Sequence, residues 1–233
     1  MIRANKSMGA QLDDGTKKLP VSNGCPSMSP MRRKTSIVLC LVAAGFLGSC
    51  GAARPSKYYQ LTVPADAPNG SATDPVPLTL LVGNLQASHL YREDRIVYSS
   101  AGQEMGTYEY QRWAEPPTEM VEEVLLRELR ASGRYRAVYA HRSNISGDFL
   151  LRGRLYDFKE VTGSTMAARL TVEFEMRDLK SGATVWTHYY QRDEPVSGKD
   201  VPAVVAALDK NVQRGVKEVL ASLDQYFAAH ATK

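Results

Sequence analysis

The chain has 233 residues, of which 43% are hydrophobic, and its 29 Lys and Arg outnumber its 25 Asp and Glu. Seven of these cations and two of the acids precede Cys50, so the chain from Cys50 onward carries a formal charge of −1. That balance argues against a basic surface of the kind that binds nucleic acid. The three cysteines, Cys25, Cys40 and Cys50, lie in the first 50 residues, so the remainder predicts neither a disulfide framework nor a thiolate metal site.

The first 50 residues have the parts of an export signal. The cationic cluster Arg32-Arg33-Lys34 precedes an apolar run over residues 37–47, which is shorter than the roughly 20 residues of a spanning helix. Leu47-Gly48-Ser49-Cys50 then resembles a bacterial lipobox. The pattern predicts a signal peptide over residues 31–49, a lipid on Cys50 and a lipidated tether over residues 50–56. Residues 1–30 are expected to be an over-called leader, with Met31 as the true start. A buried apolar segment ending in a core cysteine is the alternative interpretation.

Strand-forming composition dominates the next part of the chain. Residues 57–63 and 78–85 each predict a strand, and residues 64–77 predict a loop between them. Residues 95–98 and 107–113 predict a hairpin. Pro116-Pro117 ends the extended stretch, and residues 118–131 predict a helix. Its core-facing stripe consists of apolar side chains at spacings of three and four: Met120, Val121, Val124, Leu125 and Leu129.

The clearest pattern lies in residues 168–177, where every even position is apolar and every odd position is polar. It predicts a strand with one buried and one solvated face. Strands over residues 148–161 and 184–191 complete a three-stranded antiparallel meander, a further strand over residues 135–139 leads into it, and residues 202–228 predict a long amphipathic helix. This order predicts a single α+β domain over residues 57–229, a mostly antiparallel sheet with two main helices packed on one face.

No catalytic constellation emerges from the residue spacings. Glu173 and Glu175 share one strand face, but Arg169 and Arg177 flank them there, which favours a solvated charged stripe over a carboxylate dyad. We therefore predict no catalytic residue, no metal and no cofactor. The aromatic residues of one strand leave two interpretations open, the floor of a ligand groove or plain core and rim: Tyr108, Tyr110 and Trp113. None of the histidines lies four residues from another: His89, His141, His188 and His230.

Three segments, in this order, carry a resemblance to a known family: Tyr59-Gln60-Leu61, Asp94-Arg95-Ile96-Val97-Tyr98, and Tyr110-Gln111-Arg112-Trp113-Ala114-Glu115-Pro116-Pro117. With the lipobox before them and a Met/Leu helix after them, they resemble the ABC-type transport auxiliary lipoprotein family, the PqiC-like subunits of transporters associated with membrane integrity. The resemblance covers about residues 58–223. The Arg-Trp-x-x-Pro-Pro step is its most specific part.

This resemblance implies a non-enzymatic lipoprotein that faces the periplasm. Such a protein would work with an MCE-domain (mammalian cell entry) protein, an ABC permease and an ATPase in lipid transport between the two membranes of a Gram-negative bacterium. A homo-oligomeric ring is also implied, and so is the outer membrane, because Gly51 stands where inner-membrane lipoproteins typically carry aspartate. We nominate eight residues of the family motif as possible partner contacts: Tyr59, Tyr98, Tyr108, Tyr110, Arg112, Trp113, Pro116 and Pro117. The Arg/Glu stripe of residues 168–177 is a further candidate contact surface.

Two other functions stay open at this point. One is a different outer-membrane scaffold, of the kind that assists lipopolysaccharide or secretin assembly. The other is a periplasmic hydrolase or lipid-modifying enzyme, which would lose activity when a polar residue such as His188 or Glu173 is changed.

Overall fold

The computed structural model describes residues 54–64, 75–100 and 103–230. The strands are β1 (Lys57–Tyr59), β2 (Val76–Ala87), β3 (Arg95–Ser100), β4 (Met105–Trp113), β5 (Tyr135–Ala140), β6 (Phe149–Thr162), β7 (Met166–Asp178) and β8 (Thr184–Pro195). The helices are α1 (Pro117–Ala131) and α2 (Val201–Ala229), and a short 3-10 turn spans His89–Tyr91. The predicted leader, signal peptide and lipidated Cys50 lie outside the described residues.

The long strand β6 organises the sheet because both of its edges are paired. One edge pairs antiparallel with β7, and β7 pairs antiparallel with β8, as the predicted meander requires. The other edge is shared between two parallel partners: residues 149–155 pair with β2 and residues 159–162 pair with β3. The sheet therefore divides beyond β6 into two arms, one of β2 and β5 and one of β3, β4 and β1.

Both helices lie on one face of this sheet. Helix α1 packs against β2 and β5, helix α2 packs against β7 and β8, and the two helices contact each other. The apolar stripe predicted for α1 is buried, as its periodicity required. The predicted fold class is confirmed: a single α+β domain whose mostly antiparallel mixed sheet carries two helices on one face.

Two features of the sheet differ from the expectation. Strand β5 does not adjoin the meander but pairs in parallel with β2 at the edge of the sheet. A parallel pair of strands needs a crossover connection, which here includes α1. The sequence pattern predicts the helix of that crossover but not the strand with which β5 pairs. Strand β1 also ends early, at Tyr59, because Leu61 is buried in the core and Thr62 bonds to α2. The Asp209 carboxylate accepts hydrogen bonds from the Thr62 backbone N–H at 2.9 Å and from its hydroxyl at 2.8 Å.

A buried polar network fixes α2 on the meander. The side chain of Asn211 is 0% exposed and donates hydrogen bonds to the carbonyls of Ala168 and Arg192, at 3.0 and 2.9 Å. Its own side-chain oxygen accepts from the Tyr190 hydroxyl at 2.7 Å. Because these buried groups satisfy one another, the network sets how the helix lies on β7 and β8 without leaving the Asn211 side chain unpaired.

An acidic residue makes a second link between β8 and α2. The buried carboxylate of Glu194 pairs with Lys210 at 2.5 Å and accepts a hydrogen bond from Arg214 at 2.7 Å. The Lys210 hydrogen bond and the Arg214 charge hold the pKa of Glu194 below its usual value.

Candidate functional site

The residues that carry the family resemblance form one cluster at the junction of β1, β4 and α1. We call Tyr59, Arg112, Trp113, Pro116 and Pro117 the motif cluster. Trp113 is 1% exposed, and its ring packs 5.3 Å from that of Phe158. The Tyr59 carbonyl accepts from the Ala114 N–H at 2.7 Å, which continues the pairing of β1 with β4. This arrangement builds the domain.

The polar side chains of the motif cluster also bond to other residues of the domain. The Tyr59 hydroxyl donates to the side-chain oxygen of Gln111 at 2.7 Å. Arg112 makes a two-oxygen contact with Asp94, at 2.9 and 3.1 Å, across the hairpin of β3 and β4. Both contacts are made by Nη1 of Arg112, and they tie β4 to the residue that precedes β3.

The two prolines begin helix α1. Pro116 is the N-cap and accepts from the N–H groups of Glu119 and Met120, at 2.9 and 3.1 Å. Pro117 occupies the first turn, where its missing N–H costs nothing, and is buried. The side chains of Trp113 and Pro117 thus have almost no accessible surface. Trp113 therefore offers a partner almost no surface, and its contact with a partner stays a prediction.

A second group of predicted residues surrounds a buried carboxylate on β6. Tyr98 and Tyr108 pack edge to face with ring centres 5.1 Å apart. The Tyr108 hydroxyl and the Thr162 hydroxyl each donate to Glu160 at 2.7 Å, and Glu160 is 3% exposed. Burial, and then the bond to Glu160, raise the pKa of Tyr108. The Tyr108 hydroxyl therefore stays protonated and acts as a donor.

Tyr110 of β4 lies beside Arg54, the first described residue of the chain. The guanidinium of Arg54 lies over its ring, 5.3 Å from the ring centre, which is within the range of a cation–π contact. A hydrogen bond with Glu109 raises the pKa of the Tyr110 hydroxyl. Tyr110 therefore links the first described residues to β4.

The solvated face of the meander, opposite the helices, is the surface that the Arg/Glu stripe predicts. We call this surface the open face; its members on β6, β7 and β8 are Arg152, Arg154, Tyr156, Arg169, Glu173, Glu175, Tyr189 and Asp193. Two pairs of opposite charge cross it. Arg152 contacts Glu175 between β6 and β7, and both Nε and Nη2 of Arg169 lie 2.7 Å from Asp193 between β7 and β8. The Arg169 bond holds the pKa of Asp193 below its usual value.

Aromatic side chains project from the same open face. Tyr156 is 44% exposed and Tyr189 is 56% exposed. The Tyr156 hydroxyl donates to Glu173 at 2.8 Å, and Arg154 lies over the Tyr156 ring at 5.7 Å. A shallow depression of about 230 Å³ lies between these residues and Gln86 of β2.

The two carboxylates that invited a catalytic interpretation have different partners on the open face. Glu175 contacts Arg152, and Glu173 accepts from Tyr156. Cross-strand pairing of this kind is how a solvated charged face is normally stabilised. His188 faces the helices instead, stacked on Trp186 with its Nε2 3.5 Å from the Glu218 carboxylate.

A crevice of about 620 Å³ opens at the end of the domain where β2 and β6 begin and α2 ends. Phe149 and Phe227 pack edge to face in its wall with ring centres 5.7 Å apart, and Arg134 and His230 also line it. We call it the distal crevice. Sequence reasoning missed it because the two phenylalanines come from elements that are far apart in the chain, and only the fold brings them together.

Within residues 54–64, 75–100 and 103–230, no helix has the length and apolar character needed to cross a membrane. The same residues contain no group of three or more His, Cys, Asp or Glu side chains placed to hold a metal ion.

The model of one protein family, the ABC-type transport auxiliary lipoprotein component, matches residues 59–219. The chain belongs to this family. The match confirms the resemblance drawn from the three motif segments, and it spans β4, α1, the meander and most of α2. A comparison with curated proteins finds no match.

Solved structures show the same fold. Protein XCC0632 from Xanthomonas campestris is similar with a TM-score of 0.65 and 24% sequence identity, over 76% of this chain and 100% of that chain. An uncharacterized protein is similar with a TM-score of 0.58 and 14% identity, over 73% of this chain and 99% of the other. At these identities the likeness is one of fold.

Proposed function

We propose that the chain is a lipid-anchored periplasmic accessory of an ABC/MCE-type intermembrane lipid transport system, and that it docks or stabilises the transporter at the outer membrane. The observation that carries the proposal is the family match over residues 59–219, which begins nine residues after Cys50 of Leu47-Gly48-Ser49-Cys50. The family supplies the transport context, and the lipobox supplies the attachment. The signal peptide over residues 31–49 belongs to the same proposal.

The anchor would act by concentrating the domain at the membrane. One acyl chain gives marginal membrane binding and two give stable binding, so a triacylated Cys50 is sufficient. The tether over residues 50–56 would then hold the domain at a high effective concentration near its partner, so that a modest interface is enough. Gly51 favours the outer membrane as the destination.

The open face is the surface that we assign to the MCE-domain partner. It combines exposed Tyr156 and Tyr189 with Arg152 and Arg154, and tyrosine and arginine are the residues that dominate binding energy in protein interfaces. Its alternating charges favour one docking register over others. A homo-oligomeric ring would present several copies of this face to one conduit.

The proposal contains no chemical step. The carboxylates of Glu173 and Glu175 are engaged by Tyr156 and Arg152, which supports a surface that binds a partner over one that performs acid–base chemistry. A hydrolase would instead require loss of an activity on changing His188 or Glu173.

Photocrosslinking in cells tests the assigned surface. A photoreactive residue replaces Tyr189 on the open face, and the matched control carries it at Tyr58, which is 64% exposed on β1 at another edge of the sheet. We expect an adduct with an MCE-domain protein from position 189 and much less from position 58. An adduct with a lipopolysaccharide- or secretin-assembly protein would select the scaffold alternative. Crosslinking from position 58 alone would contradict the assignment of the open face.

The anchor has a separate test. We expect Cys50→Ser to deplete the protein from the outer-membrane fraction, while Ser49→Ala, a neighbouring small-residue change, leaves it there. Retention of the Cys50→Ser protein in the outer membrane would contradict the proposed lipid anchor.

A further inference from the structure

The direction of β1 fixes the side from which the chain enters the sheet. β1 runs parallel to β4, with Lys57 beside Gln111 and Tyr59 beside Trp113. Because β4 begins at Met105, the residues before Lys57 approach from the side on which β4 begins. Arg54 follows this path, since its guanidinium lies over the ring of Tyr110, one residue before Gln111 on β4.

Three turns share that side of the domain, which we call the tether end. They comprise residues 103 and 104 with Met105 at the start of β4, residues 163–165 between β6 and β7, and residues 196–200 between β8 and α2. The antiparallel pairing of β3 with β4 and of β6 with β7 and β8, together with the parallel pairing of β3 with β6, brings them together. The opposite side, the distal end, holds the starts of β2, β5 and β6, the β7–β8 turn and the distal crevice.

The length of the tether restricts which end can meet a membrane. Lys57 is the seventh residue after Cys50, which gives a span of at most about 25 Å between them. β4 rises about 20 Å from Gln111 to Met105, so an extended tether brings Cys50 to about the level of Met105. The distal end is further away, because β6 extends about 26 Å in the opposite direction, from the level of β1 to Phe149. To reach that end, the tether would also have to reverse its direction.

We propose that the tether end lies on the lipid headgroups and that the distal end points into the periplasm. This inference rests on the proposed lipidation of Cys50. The 163–165 turn of this surface is Gly-Ser-Thr, Met105 is 44% exposed, and the charged residues of the three turns are Glu104, Lys199 and Asp200. Tyr98 and Tyr108 lie close behind these turns, and tyrosine is a residue enriched where membranes meet water.

This orientation has a consequence for the rest of the molecule. Because the strands run from the tether end to the distal end, in this orientation they extend away from the membrane. The open face then lies roughly perpendicular to the membrane plane. A conduit that extends from the membrane into the periplasm could then run alongside β6, β7 and β8. The distal crevice would open away from the outer membrane.

Two native lysines, one at each end, test the orientation. Lys199 lies in the loop before α2 at the tether end, Lys180 lies in the β7–β8 turn at the distal end, and both are exposed. The full-length protein is expressed, purified from membranes, and reconstituted in phosphatidylcholine and phosphatidylglycerol vesicles that contain a small fraction of phospholipid with an amine-reactive headgroup. Mass spectrometry then quantifies the lipid adduct on each lysine. We expect at least about fivefold more adduct on Lys199, because Lys180 lies more than about 25 Å further along the strands.

Two controls make the result specific to the tether. A water-soluble amine-reactive reagent gives the intrinsic reactivity of each lysine and corrects the ratio. A variant with about 20 Gly/Ser residues inserted between Ala53 and Arg54, which adds roughly 25 Å of flexible reach, should lose the preference for Lys199. Equal adducts on the two lysines of the lipidated native chain, or more adduct on Lys180, would overturn the orientation, and a preference that survives the insertion would overturn the length of the tether as its cause. A protein that carries no lipid at Cys50, seen in the mass of its N-terminal peptide, would overturn the proposed anchor and this inference with it.

Discussion

The motif cluster and the open face are built from similar residues, tyrosine and arginine with acidic partners, but use them in opposite ways. In the motif cluster, Arg112 and Tyr59 bond to Asp94 and Gln111 around the buried Trp113. On the open face the same residue types cross solvated strands and stay accessible. It follows that the motif that identifies the family holds the domain together, whereas the surface that we propose for a partner carries no motif.

The largest expected effect lies in the motif cluster. Trp113→Ala should lower the free energy of unfolding by about 3–5 kcal/mol, because it removes a fully buried ring and leaves a cavity beside Phe158. Urea unfolding followed by circular dichroism measures it. The matched change on the open face, Tyr189→Ala, should stay within about 0.5 kcal/mol. Similar losses for the two variants would remove the contrast between the two regions.

The helix-facing side of the meander extends this contrast, because the same strands are involved. Asn211→Ala should cost about 2–4 kcal/mol, since the carbonyls of Ala168 and Arg192 and the Tyr190 hydroxyl lose a buried partner. Lys217→Ala, at an exposed position of the same helix, is the control and should have little effect. If the two variants unfold at the same urea concentration, the hydrogen bonds of Asn211 contribute nothing measurable to holding α2 on the meander.

The contrast also shows how far sequence alone could go. Alternation in residues 168–177 and the spacing of Met120, Val124 and Leu129 predicted β7 and α1 correctly, because these patterns record local burial. The parallel pairing of β2 with β5 and β6 produces no comparable pattern in the sequences of these three strands. For the same reason, the pairing of Arg152 with Glu175 and the distal crevice depend on register across the sheet and became visible only in the structure.

A smaller effect is expected at two adjacent acidic residues of β8, which face opposite sides of the sheet. Glu194 faces α2 and Asp193 lies on the open face, and the pKa of each is lowered in the folded state, by Lys210 and by Arg169 respectively. A lowered folded-state pKa means that the ionised acid stabilises the fold above its usual pKa of about 4, and that this stabilisation is lost as the pH falls through the lowered value.

We therefore expect Glu194→Gln to be less stable than the native chain at pH 7, with the difference shrinking as the pH approaches 3. Urea midpoints measured across this pH range test it. Asp193→Asn should follow the same sign with a smaller amplitude, because its pair with Arg169 is closer to solvent. A difference for Glu194→Gln that grows on acidification would contradict the assigned direction of its pKa.

The smallest effect on stability is expected on the open face, at the pair of Arg152 and Glu175. Either single reversal, Arg152→Glu or Glu175→Arg, places like charges on directly opposed residues of β6 and β7 and should cost up to about 1 kcal/mol. The double reversal restores an attractive pair and should recover the native urea midpoint, which makes it a folded control for binding.

Binding should respond differently from stability in this series. If the open face docks the MCE-domain partner, the double reversal keeps the fold but presents the opposite charge pattern, so the adduct formed from position 189 should fall in all three variants. Recovery of both stability and crosslinking in the double reversal would mean that Arg152 and Glu175 serve only each other. The open face would then resemble the motif cluster, a set of polar contacts that supports the sheet, and the partner surface would have to lie elsewhere on the domain.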